Sequence, residues 1–302
     1  MAQSTDIDRA AKRGLVTQAM PIVFVVLWST GYIGSKFGAP YAEPFTFLTA
    51  RFVLVSALMG LAIVVTRARW PSDRTALLHS VVIGMMMHGL YLGGVFWAIA
   101  NGMPAGVSAL IVALQPIATA IGAALVLGER LSTRTLIALV VGIVGVALVL
   151  GPRFTLSASG ITPATIAAVV VAMIAISAST IYQKRVVTDL NLWVGGLCQY
   201  MGGFLVCLPL AAFTETMVID WSPIFVLTLA WLVVVLSIGA VSLLMLMIRA
   251  GAVSRVATLF FLVPASTALM GFLFFGETLT IVQIAGMVVT SVAVAIAMRA
   301  KA

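Results

Sequence analysis

Two histidines and nine carboxylates are all that the chain offers for acid–base chemistry. Of these, only His88 falls in the middle of a long apolar run. Gly84, His88, Tyr91 and Val95 recur at helical spacing, which would set imidazole and phenol side by side on one face. Such an imidazole serves either as a ligand contact or as a proton carrier, because histidine titrates near neutrality. The alternative is a neutral ring bonded to a neighbouring carbonyl. Gln115-Pro116 sits at the middle of another apolar run. Proline removes a backbone donor and frees the carbonyl four residues earlier, here Val112, so that carbonyl and carboxamide form a polar spot. Pro264 does the same for the carbonyl of Phe260. The alternative for both is a kink that only shapes packing. Trp28, Tyr32 and Lys36 follow one another at four-residue spacing and turn from aromatic to charged. That face suits an apolar or planar ligand, or core packing for Trp28. Ser177, Thr180, Gln183 and Lys184 line a further helical face, where hydroxyls can equally bond their own helix. Arg51, with Glu43 two turns earlier, reads as a structural ion pair or outer gate, the alternative being a direct substrate contact. Glu129 and Glu277 stand at segment ends, where capping and loop anchoring explain them.

Several chemistries are missing. All nine carboxylates lie at termini, loops or segment ends, so a midplane Asp or Glu proton carrier is disfavoured. No Gly-x-x-x-x-Gly-Lys-Ser/Thr loop is present for ATP. His79 and His88 have no carboxylate at ligand spacing and there is no Cys-x-x-Cys, so neither a metal nor another cofactor is expected. Cys198 and Cys207 are nine residues apart in one run, roughly 13 Å along a helix, too far for a disulfide.

The elements that carry these groups are dictated by composition. Of 302 residues, 62% are hydrophobic and 9% charged, against roughly 25% charged in soluble domains. The solvent for most of this chain must be lipid. That excludes a soluble enzyme or a nucleic-acid-binding domain, the net charge of +8 notwithstanding. A spanning helix needs about 20 apolar residues. Ten segments qualify: 18–37, 44–66, 77–100, 104–127, 133–151, 161–183, 192–213, 222–247, 252–275 and 280–298. The first lacks a cleavage site and reads as a span rather than a signal peptide. With a cytoplasmic N-terminus, 14 of the 17 Lys/Arg fall inside and only Lys36 and Arg153 outside, Arg51 being within a span. By the positive-inside rule both termini are cytoplasmic.

The chain also matches itself at an offset of 148 residues. Pro116, Thr119, Leu125, Gly128, Glu129 and Leu131 pair with Pro264, Thr267, Leu273, Gly276, Glu277 and Leu279. Five spans per copy is odd, so the second copy enters the membrane from the opposite side. The sequence therefore predicts an all-α integral membrane protein of two inverted five-helix repeats, 18–151 and 152–298, with short tails 1–17 and 299–302. Inverted repeats let one chain open to either side of a midplane site.

Pro116 with Leu127-Gly128-Glu129-Arg130-Leu131, and Pro264 with Phe275-Gly276-Glu277-Thr278-Leu279, resemble the two EamA units of the drug/metabolite transporter superfamily. Leu27-Trp28-Ser29, Ala50-Arg51-Phe52 and Trp97-Ala98 before Ala105-Gly106 fit the same pattern, so the likeness covers about residues 18–298. It implies a ten-helix carrier in the bacterial inner membrane, often exporting amino acids or other small metabolites, with a cavity lined chiefly by helices 1, 3, 4, 6, 8 and 9. Two positions depart from internal symmetry: Gln199 stands opposite Arg51, and Ile176 opposite Trp28. The expectation is a monomeric or weakly dimeric exporter of a small amphiphilic metabolite, its only other partner the bilayer. Trp28, Tyr32, His88, Tyr91, Gln115, Pro116, Thr180 and Pro264 would line the cavity, with Lys36, Glu43 and Arg51 as gate or ion pair. The competing classes are a membrane-embedded enzyme acting on a lipid or prenyl substrate, a non-transporting scaffold or sensor, and a channel. The first lacks clustered acids or a nucleophile with a base, and the last lacks a ring of charge.

Overall fold

A computed structural model describes residues 20, 22–127, 133–150, 160–186, 190–240, 243 and 262–299. Among them the chain is helical, with no β-strand and one isolated bridge between Ala42 and Ile219. In chain order the helices are α1 (Ile22–Gly38), α2 (Pro44–Thr66), α3 (Arg74–Ala100), α4 in two pieces (Ala105–Val112 and Gln115–Leu127) and α5 (Thr133–Leu150). Then follow α6 (Pro163–Val186), α7 (Leu192–Thr214), α8 (Pro223–Ala240), α9 (Val263–Phe275) and α10 (Ile281–Arg299). Six, namely α2, α3, α4, α6, α7 and α8, are long and apolar enough to cross a membrane, and the apolar stretches of the others are shorter. The first Gly-Glu-x-Leu block with Glu129, and the Phe260 carbonyl, lie outside the described residues, as does the side chain of Lys184.

The helix ends are set by local chemistry. Pro44 and Pro223 occupy first-turn positions, where a missing N–H costs nothing. Asp73 accepts from the Thr75 amide at 2.8 Å and Asn191 from the Trp193 amide at 2.9 Å, capping α3 and α7. The Thr75 hydroxyl donates to the same carboxylate at 2.6 Å, and this bond and the amide's hold the Asp73 carboxyl below its usual range. Thr280 and Gln283 satisfy each other's amides at 3.3 and 3.0 Å, a capping box that starts α10. Gly276 ends α9 in the left-handed region at φ 64°.

The internal repeat is visible in space. Pro44–Thr66 and Leu192–Thr214 begin and end at the same offset, as do Gln115–Leu127 and Val263–Phe275. Ser29 Oγ donates to the carbonyls of Val25 and Val263, at 2.8 and 3.4 Å. Ser177 Oγ donates to Met173 and Gln115, again at 2.8 and 3.4 Å. Each atom of the second pair is the repeat mate of the first. Packing follows the same rule. Helix α2 lies on its mate α7, α5 on α10, and the first piece of α4 on α9. Helix α6 packs on α3 and α4, and α1 correspondingly meets α8 and α9 through Trp231–Thr30 and Phe37–Phe275.

Small residues permit these approaches, as interfaces in lipid require. A Cβ at Gly84 would run into the Gln199 carbonyl, and one at Gly202 into the Val81 carbonyl, so α3 and α7 touch backbone to backbone. Side chains facing away from the bundle are apolar: Val64 is 74% exposed and Leu273 65%. A surface of that kind is a membrane surface rather than a watery one.

Candidate functional site

Helices α3 and α8 each change from α- to wider π-type winding near the middle, over Met85–Leu92 and Trp231–Ala240. Such segments cluster at functional sites because the extra residue per turn re-aims side chains. Here the two wide segments face one cavity. Its walls are Trp28, Gly31 and Tyr32 of α1, Arg51 of α2, His88, Tyr91, Val95 and Phe96 of α3, Tyr200 of α7, and Leu236 and Ser237 of α8. Both repeats therefore contribute. The volume is about 80 Å³, room for a few waters, and far below the roughly 300–1,000 Å³ of pockets that hold drug-sized ligands. The site is closed down in this conformation. A larger groove of about 830 Å³ between α9 and α10 contains none of these residues.

The polar groups of the cavity are held from behind. The Tyr32 and Tyr91 hydroxyls meet at 3.4 Å, both rings being buried. The His88 imidazole stacks on Tyr200, with ring centroids 4.3 Å apart and planes 15° apart. Phe52 flanks that stack, 6.0 Å from His88 and 5.9 Å from Tyr200. Behind His88, a Cβ at Gly203 would crowd the His88 Cβ at 2.7 Å, so α7 presses the imidazole into place. Arg51 is 2% exposed and donates from Nη2 to Ser237 Oγ at 3.0 Å. Ser237 in turn donates to the Leu232 carbonyl at 3.0 Å, a bond that its wide turn allows.

Of the residues singled out from sequence, Trp28, Tyr32, His88 and Tyr91 come together on this cavity, and Arg51 joins them. Gln115 and Thr180 form a separate contact at 3.4 Å between α4 and α6, away from the cavity lining. Pro116 and Pro264 each stand in the first turn of a helix piece. In α4 the strain of proline is taken up as a break at Ala113-Leu114 rather than a smooth kink. The pairing of Arg51 with Glu43 does not form. Glu43 is the N-cap residue of α2, and its carboxylate accepts from the Thr216 amide and hydroxyl, each at 2.6 Å. Glu215 reciprocates, accepting from the Phe45 and Thr46 amides at 2.8 and 2.7 Å. Lys36 instead pairs with Glu277, and its ammonium lies 4.6 Å from the Phe275 ring centre. These contacts tie α1, α2, the α7–α8 connection and the end of α9 together at one face of the bundle. Tyr200 and Ser237 escaped sequence reasoning. A signal existed for Tyr200, which is the repeat mate of Phe52 and follows Gln199, the mate of Arg51.

A helical bundle with an apolar belt, two repeats and a shared central cavity defines a multi-pass membrane protein of the transporter class. The model of the EamA-like transporter family matches residues 17–151 and again 163–299. The chain belongs to that family. It is 26% identical over 298 residues to a protein of Bacillus subtilis (strain 168) named as the uncharacterized transporter YvbV, covering 89% of this chain and 87% of that one. A solved crystal structure superposes with a TM-score of 0.60 at 18% identity, covering 92% of this chain and 94% of the other, and shares the fold.

Proposed function

We propose that the chain is a secondary carrier that moves a small amphiphilic metabolite, of the size of an amino acid, out of the cell by alternating access. The observation that carries this reading is a cavity lined from both repeats, with aromatic walls and a few converging polar groups. In such a site a ligand touches both mobile halves at once, so closing over it and opening to the other side are the same motion. Trp28, Tyr32, His88 and Tyr91 form the binding surface. Gln115, Pro116, Thr180 and Pro264 bound the path between the cavity and the other face.

The proposed topology is ten spans with both termini cytoplasmic in the inner membrane, in repeats 18–151 and 152–298, functioning as a monomer or weak dimer. It rests on the asymmetry of Lys and Arg between the two sets of loops. Under it, the face tied by Lys36–Glu277 and by Glu43 and Glu215 is the outer one, and the closed cavity belongs to a state sealed toward the outside. Against an enzyme reading, the lining Ser237 hydroxyl is engaged by Arg51 and the Leu232 carbonyl rather than by His88.

The test is counterflow in proteoliposomes with a panel of amino acids, other small metabolites and cationic dyes. Preloaded unlabelled substrate should drive uptake of its labelled form, and His88→Ala and Tyr91→Phe should depress it with folded protein retained. Absence of counterflow across the whole panel would defeat the carrier assignment.

A further inference from the structure

Arg51 presents a problem that the fold leaves unsolved. Its guanidinium is buried, yet Nε and Nη1 have no hydrogen-bond partner. Its single polar contact is the neutral hydroxyl of Ser237. Among the described residues the only ion pair is Lys36–Glu277, so no described carboxylate balances Arg51. A buried, uncompensated charge is strongly unfavourable, and guanidinium deep in a membrane protein ordinarily pairs or faces a water-filled cavity. Here it faces the cavity, with Trp28, Phe96 and Tyr91 on the surrounding walls.

The charge is not a packing requirement of its position. The repeat mate of Arg51 is Gln199, on the helix that packs against α2. The same helix register is thus filled by a neutral amide in one half and a cation in the other. With one Nη2 hydrogen on Ser237, the second Nη2 hydrogen and the free N–H beside it, that of Nε or of Nη1, still form an edge of two donors, the geometry that accepts a carboxylate in bidentate fashion.

We propose that Arg51 is the substrate-binding cation of this carrier, and that the transported compound carries a carboxylate that docks on it, with an apolar or aromatic body against Trp28 and Tyr91. The inference deepens the carrier reading and rests on it for the word substrate; the binding site itself stands on the cavity. A cavity with a cation and no lining acid selects against organic cations. It also makes the second charge of a zwitterion dispensable, so a simple monocarboxylate should bind as readily as an amino acid.

The experiment uses purified full-length protein, in detergent for binding and in proteoliposomes for flux. Matched probes are 3-phenylpropionate, phenylalanine, 3-phenylpropanamide and phenethylamine, with pyruvate and acetate as small acids and sodium chloride as the inorganic control. Binding is followed by thermal stabilisation and by intrinsic tryptophan fluorescence, the Trp28 part of which is taken by difference from Trp28→Phe. The acids should bind, while the amide and amine of the same shape should bind at least about tenfold more weakly, as loss of a charge-assisted bidentate contact implies. Arg51→Gln should weaken the acids by about 10- to 100-fold, and Arg51→Lys should restore part of that. Should Arg51→Gln fail to fold, the acid-against-amide comparison on the unaltered protein decides alone. Equal handling of acid and amide, or stabilisation reproduced by chloride with no effect of any acid, overturns the proposal and leaves the carrier reading intact. Acid binding without flux of any probe sustains the site and overturns the carrier instead.

Discussion

Removing the Lys36 ammonium should loosen the end of the bundle that Lys36 and Glu277 tie together. Lys36 of α1 reaches Glu277 just past the end of α9 and stands over the Phe275 ring at 4.6 Å. The side chains are 30% and 13% exposed, so the pair is neither fully screened nor fully desolvated. An exposed pair is worth roughly 0–1 kcal/mol, and a cation over an aromatic face at such a site about 0.5–1 kcal/mol. Lys36→Met, which keeps the apolar stem, therefore removes about 0.5–2 kcal/mol. Those contacts exist only while α1 and α9 are together, so the loss falls entirely on the state closed at this face. A differential of that size shifts a two-state population by roughly 2- to 30-fold.

The shift can be read with a single engineered thiol. Cys198 and Cys207 are free and buried and can be replaced by alanine, after which Leu92→Cys places one thiol on the cavity wall. A membrane-impermeant maleimide added outside right-side-out vesicles then labels in proportion to the population open at that face. Lys36→Met should speed labelling by about 2- to 30-fold and Glu277→Gln, which leaves the ammonium over Phe275, by up to about 5-fold, and the double variant should add little to Lys36→Met, which already removes the shared ion pair. Unchanged rates in both single variants would refute the gate. Faster labelling only from the cytoplasmic side would reverse the proposed orientation.

Glu215→Ala deletes the carboxylate that caps α2 from the end of α7, and should cost about 1–2 kcal/mol, seen as a fall of about 3–8 °C in the melting temperature read by a thiol-reactive dye on the two buried cysteines. Gly202→Leu should abolish folded protein, since its Cβ already meets the Val81 carbonyl, whereas Gly60→Ala, with nothing within 4 Å of its Cβ, should stabilise α2 by about 0.5–1 kcal/mol; recovery on size-exclusion chromatography and melting curves separate the two. Tyr200→Leu removes the ring on which His88 stacks at 4.3 Å and should raise KM several-fold with little change in melting temperature. Equal losses in both would make Tyr200 a folding residue only.

Much of the scaffold is legible in the sequence, because the rules that set it are local or periodic. Apolar length finds the helices, and the 148-residue offset finds which helices are mates. The wide turns in α3 and α8 left no mark. Neither segment carries a residue type that demands an extra residue per turn, so tertiary packing around Gly89 and Ser237 decides it. The Glu43–Arg51 pairing failed for a similar reason. Helical spacing ranks neighbours within one element, but Glu43 stands at the N-cap position and turns its carboxylate to the α7–α8 connection, where it accepts from the Thr216 amide and hydroxyl. Gln115 was grouped with His88 because both are polar at mid-span; depth alone does not fix azimuth. The break at Ala113-Leu114 turns Gln115 toward α6 instead.

What separates scaffold from site is where the repeats agree. Atoms that hold the bundle together come in symmetric pairs, such as Ser29 with Ser177 and Pro116 with Pro264. The groups on the cavity wall do not. Arg51 faces Gln199 across the repeat, His88 faces Leu236, Tyr91 faces Gly239, and Tyr32 faces Thr180. A carrier built on mirror-oriented halves needs near-equal energies for its two closed forms, and the shared contacts supply that balance. Recognition needs the reverse, since a small asymmetric ligand cannot satisfy two copies of one polar constellation at once. Concentrating the charge, the imidazole and two of the three lining phenols in the first repeat would displace the proposed binding surface from the symmetry axis toward α1, α2 and α3. Exchanging Arg51 and Gln199 between the halves is the direct trial of this division. The bundle should still assemble, because both registers accept either length, while the ligand site should lose its cation from beside Ser237 and bind acids no better than amides.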